Sequence, residues 1–286
     1  MRCCMSQERF EILYAELLTS HSSQEIFAAA DPSAYLDAGL SPDELAELRL
    51  IAEQIYEESH HFISKRAGFL WMPLPFTRII LGQKADSLVH EYMETFPRAS
   101  DQEYVNDHRR FHLFLGQQLC DESALIQDIL TLERSVFITD RIMYPEESME
   151  HINNGRSMKA PRIVVTMDCL LAPRPGVVRF HAQHDLRPLV TADSESIDRE
   201  ALQQLSQKNF SFITVRVPFQ SRCSLLSVSP NVLETLPLFD GRRTIGEVAE
   251  LFAISEKIHR HKSMERIVEF AHIFLKQRVL QHIAPC

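Results

Sequence analysis

His108 and His112 stand four apart in HRRFH, the spacing that sets two imidazoles on one helix face, as a metal site requires. No glutamate lies between them and no third ligand is indicated. The ligand count therefore favours structural histidines over a metal centre. His181 with His184, and His259 with His261, are looser pairs, and a chain with 13 histidines is expected to hold such coincidences. Six cysteines sit at 3, 4, 120, 169, 223 and 286 without a CxxC knuckle, and they read as free thiols of a reduced, cytoplasmic protein. The chain has no G-x-S-x-G, no P-loop and no G-x-G-x-x-G, and only eight glycines in all. Glu133 sits beside an apolar helical stripe, where a carboxylate could serve as a buried base. A helix-surface or capping role is its ordinary reading. Trp71, in GFLWMPLPF, fits an interaction surface or plain core packing between helices. These residues predict recognition rather than catalysis, with no catalytic and no metal-binding set.

The elements that could position a recognition surface are clearest near the C-terminus. Ser224 to Val228 is short, apolar and β-prone. Ser229-Pro230 supplies a capping residue and a proline at the first helical position, where a missing N–H costs nothing. Val232, Leu233, Leu236 and Leu238-Phe239 then line a short helix that Asp240-Gly241 ends. Thr244 to Glu247 reads as a capping box opening a second helix with Ile245, Val248, Leu251 and Phe252. After a polar insertion, ISEKIHRHKS, Ser263 is expected to cap a third helix carrying Ile267, Phe270, Ala271 and Phe274-Leu275. Val279 to Ile283 fits a final strand. Strand, helix, turn, capped helix, longer helix is a winged-helix pattern. Upstream, Arg162 to Leu171, Val177 to His181 and Leu186 to Val190 read as strands, Ser194 to Leu205 as a helix, and Phe210 to Val217 as the most strand-like segment of all.

The first half reads as all helix. Phe10, Leu13, Leu17 and Leu18 mark one amphipathic helix. Ser41-Pro42-Asp43-Glu44 is its best start signal: N-cap, proline, acids in the first turn, Glu at N3. Further helices carry Phe76 to Leu81, Leu88 to Met93, Phe111 to Leu115, and a long one from Glu122 to Met143. The polar run His151 to Lys159 reads as a linker. The fold class is therefore α+β: an all-helical domain over 1–150, then a strand-rich and winged-helix domain over 158–286.

The net charge of −9 conceals a split between these halves. Residues 1–150 carry 12 Lys and Arg against 26 Asp and Glu, a net −14, and residues 151–286 carry 18 against 13, a net +5. The acidic half would repel nucleic acid and the basic half could attract an acidic peptide; two plainly solvated surfaces would give the same figures. No run of eighteen apolar residues predicts a membrane span, and the N-terminus has no signal-peptide core. A winged helix that reads DNA wants Lys and Arg along its third helix, whereas this one alternates Glu265, Arg266, Glu269, Lys276 and Arg278. Nucleic acid is therefore not the expected partner, and a DNA-binding regulator is the alternative reading.

Two segments together resemble a known family. DGRRTIGEVAEL, after the strand-proline-helix opening, resembles the PqqD-like recognition element of ribosomal peptide natural-product biosynthesis. PFTRIILGQKADSLVHEYMETFP, FHLFLGQQL and DILTLERSV resemble the helical domain of proteins that accompany multinuclear non-heme iron oxidases. The two-domain form is most similar to the partners in 3-thiaglutamate-like pathways, and next to those of methanobactin-like pathways. The resemblance implies a heterodimeric accessory subunit that is not itself an enzyme. It would bind a precursor's leader and deliver the precursor's cysteine to a separate TIM-barrel oxidase. That oxidase would hold the iron, with no cofactor in this chain, and would excise the β-carbon of a C-terminal cysteine.

By that likeness the leader adds a strand to an edge formed by Ser224, Leu225, Leu226, Ser227 and Val228. Ile267, Phe270, Ala271 and Phe274 of the third helix form the wall, though some of them must be core. Arg222 and Arg242, with Arg216, Arg243 and Lys276 nearby in the sequence, supply positive charge for an acidic leader. The polar insertion before the third helix departs from the family pattern at this groove.

Overall fold

The computed structural model describes residues 3–19, 21–37, 39–96, 104–141, 165–192, 194–216 and 223–283. The chain divides into two compact units, Met1–Asp121 and Glu122–Cys286. The fold mixes helix with small antiparallel sheets. The linker expected at 151–159 lies outside the described residues. Among those residues, no helix is long and apolar enough to cross a membrane.

The first unit is helical: α1 (Cys3–Thr19), α2 (His21–Ala29), α3 (Pro32–Asp37), α4 (Pro42–Leu50), α5 (Ala52–Trp71), α6 (Pro75–Leu81), α7 (Gln83–Thr95) and α8 (Tyr104–Gln118). Helix α4 begins where its residues predict. Ser41 Oγ accepts the N–H of Glu44 at 3.2 Å, and Glu44 Oε2 accepts the N–H of Ser41 at 2.8 Å. Leu17, Phe27, Leu45, Leu48 and Ile55 bury one core. Tyr92 packs on Phe111 and Phe114, and Trp71 meets Phe111 edge to face at 5.0 Å. Trp71 is thus core, at 3% exposure. A bidentate ion pair is buried among these rings. Arg66 Nε and Nη2 donate to the two oxygens of Asp107 at 3.0 Å each, and Tyr92 Oη donates to Asp107 Oδ1 at 2.6 Å. His108 and His112 turn inward, with His108 Nε2 donating to the carbonyl of Phe69 at 2.7 Å.

The second unit is built on a sheet of β2 (Val178–His184), β3 (Gln207–Arg216) and β4 (Cys223–Val228), ordered β2-β3-β4 and antiparallel throughout. Phe180 stands opposite Phe212, and Ile213 opposite Leu226. Residues 211–215 of β3 are all buried, which a strand can be only when both faces are covered. Ile213 and Val215 enter a helical core with Leu233, Val248, Phe252, Ile267 and Phe274. The other face is covered by α9 (Ala124–Asp140). Thr139 Oγ1 lies 3.0 Å from Thr214 Oγ1 and donates to the carbonyl of Gly176 at 2.8 Å. Helix α9 therefore belongs to the sheet, not to the helical half that the sequence reading ends at 150. Glu133, read as a surface or capping group, is buried in α9.

Short helices and a second, smaller sheet complete the unit. Leu186 to Val190, expected as a strand, is instead the helix α10 (Arg187–Thr191). Asp185 Oδ1 accepts the N–H of Arg187 at 3.1 Å and Pro188 follows, which together open a helical turn. The helix expected from Ser194 shrinks to a 3-10 turn and α11 (Arg199–Gln203). Beyond β4 come α12 (Pro230–Thr235), α13 (Ile245–Glu256), α14 (Arg260–Lys276) and β5 (Leu280–His282). Strand β5 pairs with β1 (Leu171–Pro173), and Leu170 bridges to Thr244. Of the strand expected over 162–171, residues 162–164 lie outside the described residues, 165–169 are not strand and hold a turn at Met167-Asp168, and pairing begins at Leu170. Gly241 adopts a φ of 75°, and a Cβ there would lie 3.0 Å from Ile283.

The Thr244–Glu247 capping box is present, with Glu247 N–H to Thr244 Oγ1 at 3.2 Å and Thr244 N–H to Glu247 Oε2 at 2.8 Å. Ser263 is not the cap of α14. The helix starts a turn earlier, and Ser263 donates to the carbonyl of Ala249 from a buried position. The polar insertion is mostly helix, since only Lys257 to His259 separate α13 from α14. Cys169 is disulfide-bonded, against the expectation of free thiols. The sequence could not reveal this, because the cysteine spacing does not report proximity in space.

Candidate functional site

Strand β4 is the end strand of its sheet. Its residues from Ser224 to Val228 are half-buried, except exposed Ser227. Leu226 and Val228 lean onto the helical core, while Leu225 pairs with Thr214 on the α9 side. At its start, Cys223 donates from Sγ to Asp140 Oδ1 at 3.0 Å. Burial, and next this hydrogen bond, push the thiol well above its ordinary range. Among the described residues no strand pairs with the outer side of β4, although the short helix α10 also packs against this strand.

The four residues expected to wall a peptide groove on the third helix lie otherwise. Ile267, Ala271 and Phe274 of α14 are buried in the core. Phe270 is half-buried, between Phe252 at 6.2 Å and Phe274 at 6.3 Å. The reason is helical phase: 267, 271 and 274 form the stripe that meets α13. The neighbouring stripe does line a groove. Met264, Val268 and Ile273, with Met167, form a mostly apolar cleft of about 600 Å³, bordered by Glu265, Glu269, His261 and His272. Sequence reasoning missed these residues. The signal was the width of apolar positions on α14, since 264, 267, 268, 270, 271, 273, 274 and 275 exceed one core-facing stripe.

The expected basic rim is dispersed. Arg222 lies outside the described residues. Arg242 is exposed on the turn before α13, where Asp240 Oδ1 accepts its backbone N–H at 2.9 Å and that of Arg243 at 3.0 Å. Those two N–H groups, Arg242's first, hold the Asp240 carboxyl below the usual carboxylate range. Arg243 reaches the same carboxylate with its guanidinium at 3.6 Å, and Arg216 lies 3.4 Å from the carbonyl of Asp140. The apolar cleft is bordered by carboxylates, of which Glu265 pairs with His261 at 3.3 Å.

The second unit thus presents an end strand with no strand partner on its outer side, among the described residues, and a mostly apolar cleft along α14. No protein-family model matches the chain, and no curated protein matches it.

Proposed function

We propose that this chain is a non-catalytic partner subunit. In this reading it binds the leader of a ribosomal precursor peptide and presents the precursor's cysteine to a multinuclear iron oxidase. The iron and the oxygen chemistry, β-carbon excision from a C-terminal cysteine, belong to the oxidase. The single observation that carries the reading is the open edge of β4, directly ahead of α12, α13 and α14. That order is the one the PqqD-like resemblance calls for. We read the second unit as a winged helix in which β1, from the N-terminal side, takes the place of a wing strand between Thr244 and β5. The acidic helical half is the proposed docking surface for the oxidase.

An added leader strand would draw its affinity from backbone hydrogen bonds to β4, each worth about 0.5–1.5 kcal/mol net. The test compares Leu225→Pro and Leu226→Pro with the corresponding alanine variants, using a fluorescently labelled synthetic leader and anisotropy. Proline removes an N–H and fixes φ, so the variant whose N–H faces outward should lose about tenfold in affinity, or about 1.4 kcal/mol. Its alanine counterpart should lose less. Circular dichroism and melting first establish that each variant is folded. Unchanged affinity in both folded proline variants would remove β4 as the binding edge. The competing reading, a DNA-binding regulator, would instead require duplex affinity falling steeply with salt. Glu265 and Glu269 on the exposed side of α14 speak against it, because a phosphate backbone would repel them.

A further inference from the structure

Strand β2 carries a bulge between Ala182 and His184, where the pairing with β3 slips. The bulge turns the backbone N–H of Gln183 out of the ladder and onto Asp128 of α9, whose Oδ2 accepts it at 2.7 Å. The same oxygen lies 2.9 Å from His184 Nδ1. Asp128 is only 8% exposed. Its other oxygen, Oδ1, has no partner among the described residues. Asp128 lines a cleft of about 400 Å³ together with His181, Gln183, Asn209, Phe210 and Ser211. His181 is fixed there, its Nδ1 lying 3.0 Å from Ser211 Oγ. Among the described residues no lysine or arginine lines the cleft.

Among the described residues the only ion-pair partner of this buried carboxylate is His184, which is charged only when protonated, so a ligand cation that reaches Oδ1 supplies a permanent counter-charge. The cleft also has an aromatic wall. The Phe210 ring already attracts one guanidinium, that of Arg187, at 5.6 Å from the ring centre. We propose that this cleft binds a single organic cation, the guanidinium or ammonium of a basic side chain, through Asp128 Oδ1, with Phe210 and Asn209 completing the contact. Two strong donors on Oδ2 fix the carboxylate's orientation, so Oδ1 is set in place before a ligand arrives. The inference is independent of the leader-binding reading, because the cleft lies at the β2 bulge and not on β4.

The test uses the full-length protein and three small probes: N-acetylarginine methylamide, N-acetyllysine methylamide and the neutral isostere N-acetylcitrulline methylamide. Binding is followed by NMR through the imidazole signals of His181 and His184 and the side-chain amide of Asn209. One or both cationic probes should saturate with a dissociation constant near 1 mM, the range of a single charge-assisted contact. Citrulline should bind at least tenfold more weakly. Asp128→Asn keeps an oxygen for the Gln183 N–H but removes the charge, and should lose at least tenfold in affinity while its melting temperature confirms the fold. Phe210→Leu, which keeps bulk without the ring, should lose about threefold, the size of an exposed cation–π contact. Equal binding of citrulline, unaltered affinity in folded Asp128→Asn, or no saturation by either cation well above 1 mM would each overturn the proposal. If Asp128→Asn does not fold, Phe210→Leu and the citrulline comparison decide it.

Discussion

Tyr92 keeps its proton far above the usual phenol range. Burial is the main cause, and the hydrogen bond to Asp107 adds to it. The folded state thus holds a proton that the unfolded chain releases above pH about 10, the ordinary phenol value. This contribution to stability is complete below that pH and is lost as pH rises further. Urea melts between neutral pH and pH 11 should show the loss, and Tyr92→Phe should flatten part of the slope; an identical slope in the variant would sink the assignment. Asp107→Ala would leave Arg66 buried without its counter-charge and should destabilise the helical unit by about 3–5 kcal/mol. Thiol chemistry offers a separate check. Cys120 is exposed and Cys223 buried with a raised pKa, so native alkylation should label the first rapidly and the second slowly. Cys169 should react only after reduction and unfolding; its labelling in the native, unreduced protein would contradict the disulfide. Little of this was legible in the sequence. EYMETFP and YVNDHRRF each announce an amphipathic helix, but nothing in them joins Asp107 to Arg66, 41 residues away. The histidine spacing drew attention to 108 and 112, and both side chains are buried, with His108 stacked on Phe69 at 4.4 Å.

At the level of elements, the local signals were those carried by backbone chemistry. Both capping boxes stand where Ser41–Glu44 and Thr244–Glu247 promise them, because the side chains involved bond to their own neighbours. Thr244→Ala should therefore cost about 1 kcal/mol in chemical denaturation. A change below a few tenths would show that the bridge to Leu170 holds the α13 start unaided. Leu186 to Val190 was misread against a local signal, since Asp185 accepts the N–H of Arg187 and Pro188 follows, which opens α10. Signals that depend on distant partners were also misread. Ser263 is a good cap by type, but the helix begins at Arg260 and its hydroxyl serves the carbonyl of Ala249 instead. On α14, Ile267, Ala271 and Phe274 face the core, while Met264, Val268 and Ile273, which the sequence reading left out, line the cleft; which stripe faces the core is decided by α13. Val268→Glu should leave the melting temperature nearly unchanged, whereas Ile267→Ala should cost about 2–5 kcal/mol, as large-to-small changes do in a packed core.

Across the whole molecule, the placement of α9 changes where the chain can be cut. A fragment beginning at Glu122 keeps the cover over Phe180 and Phe212, and should melt cooperatively as a soluble monomer. A fragment beginning at residue 158, the boundary the linker composition suggested, strips that face and should aggregate or bind hydrophobic dyes. Size-exclusion chromatography of the two distinguishes them; a well-behaved shorter fragment would return α9 to the helical half. Composition found the polar run at 151–159, but a change in composition is not where the packing changes. The pairing of β1 with β5 has a further consequence. It joins Leu171 to His282, a separation of 111 residues. Closing so long a loop costs about 4 kcal/mol of chain entropy, and β5 is made after every other described strand and helix. The first unit can therefore fold while the polypeptide is still growing, whereas the small sheet of the second must wait until Leu280–His282 have emerged from the ribosome. A stalled nascent chain ending before Leu280 should be protected from protease over the first unit and sensitive around β1.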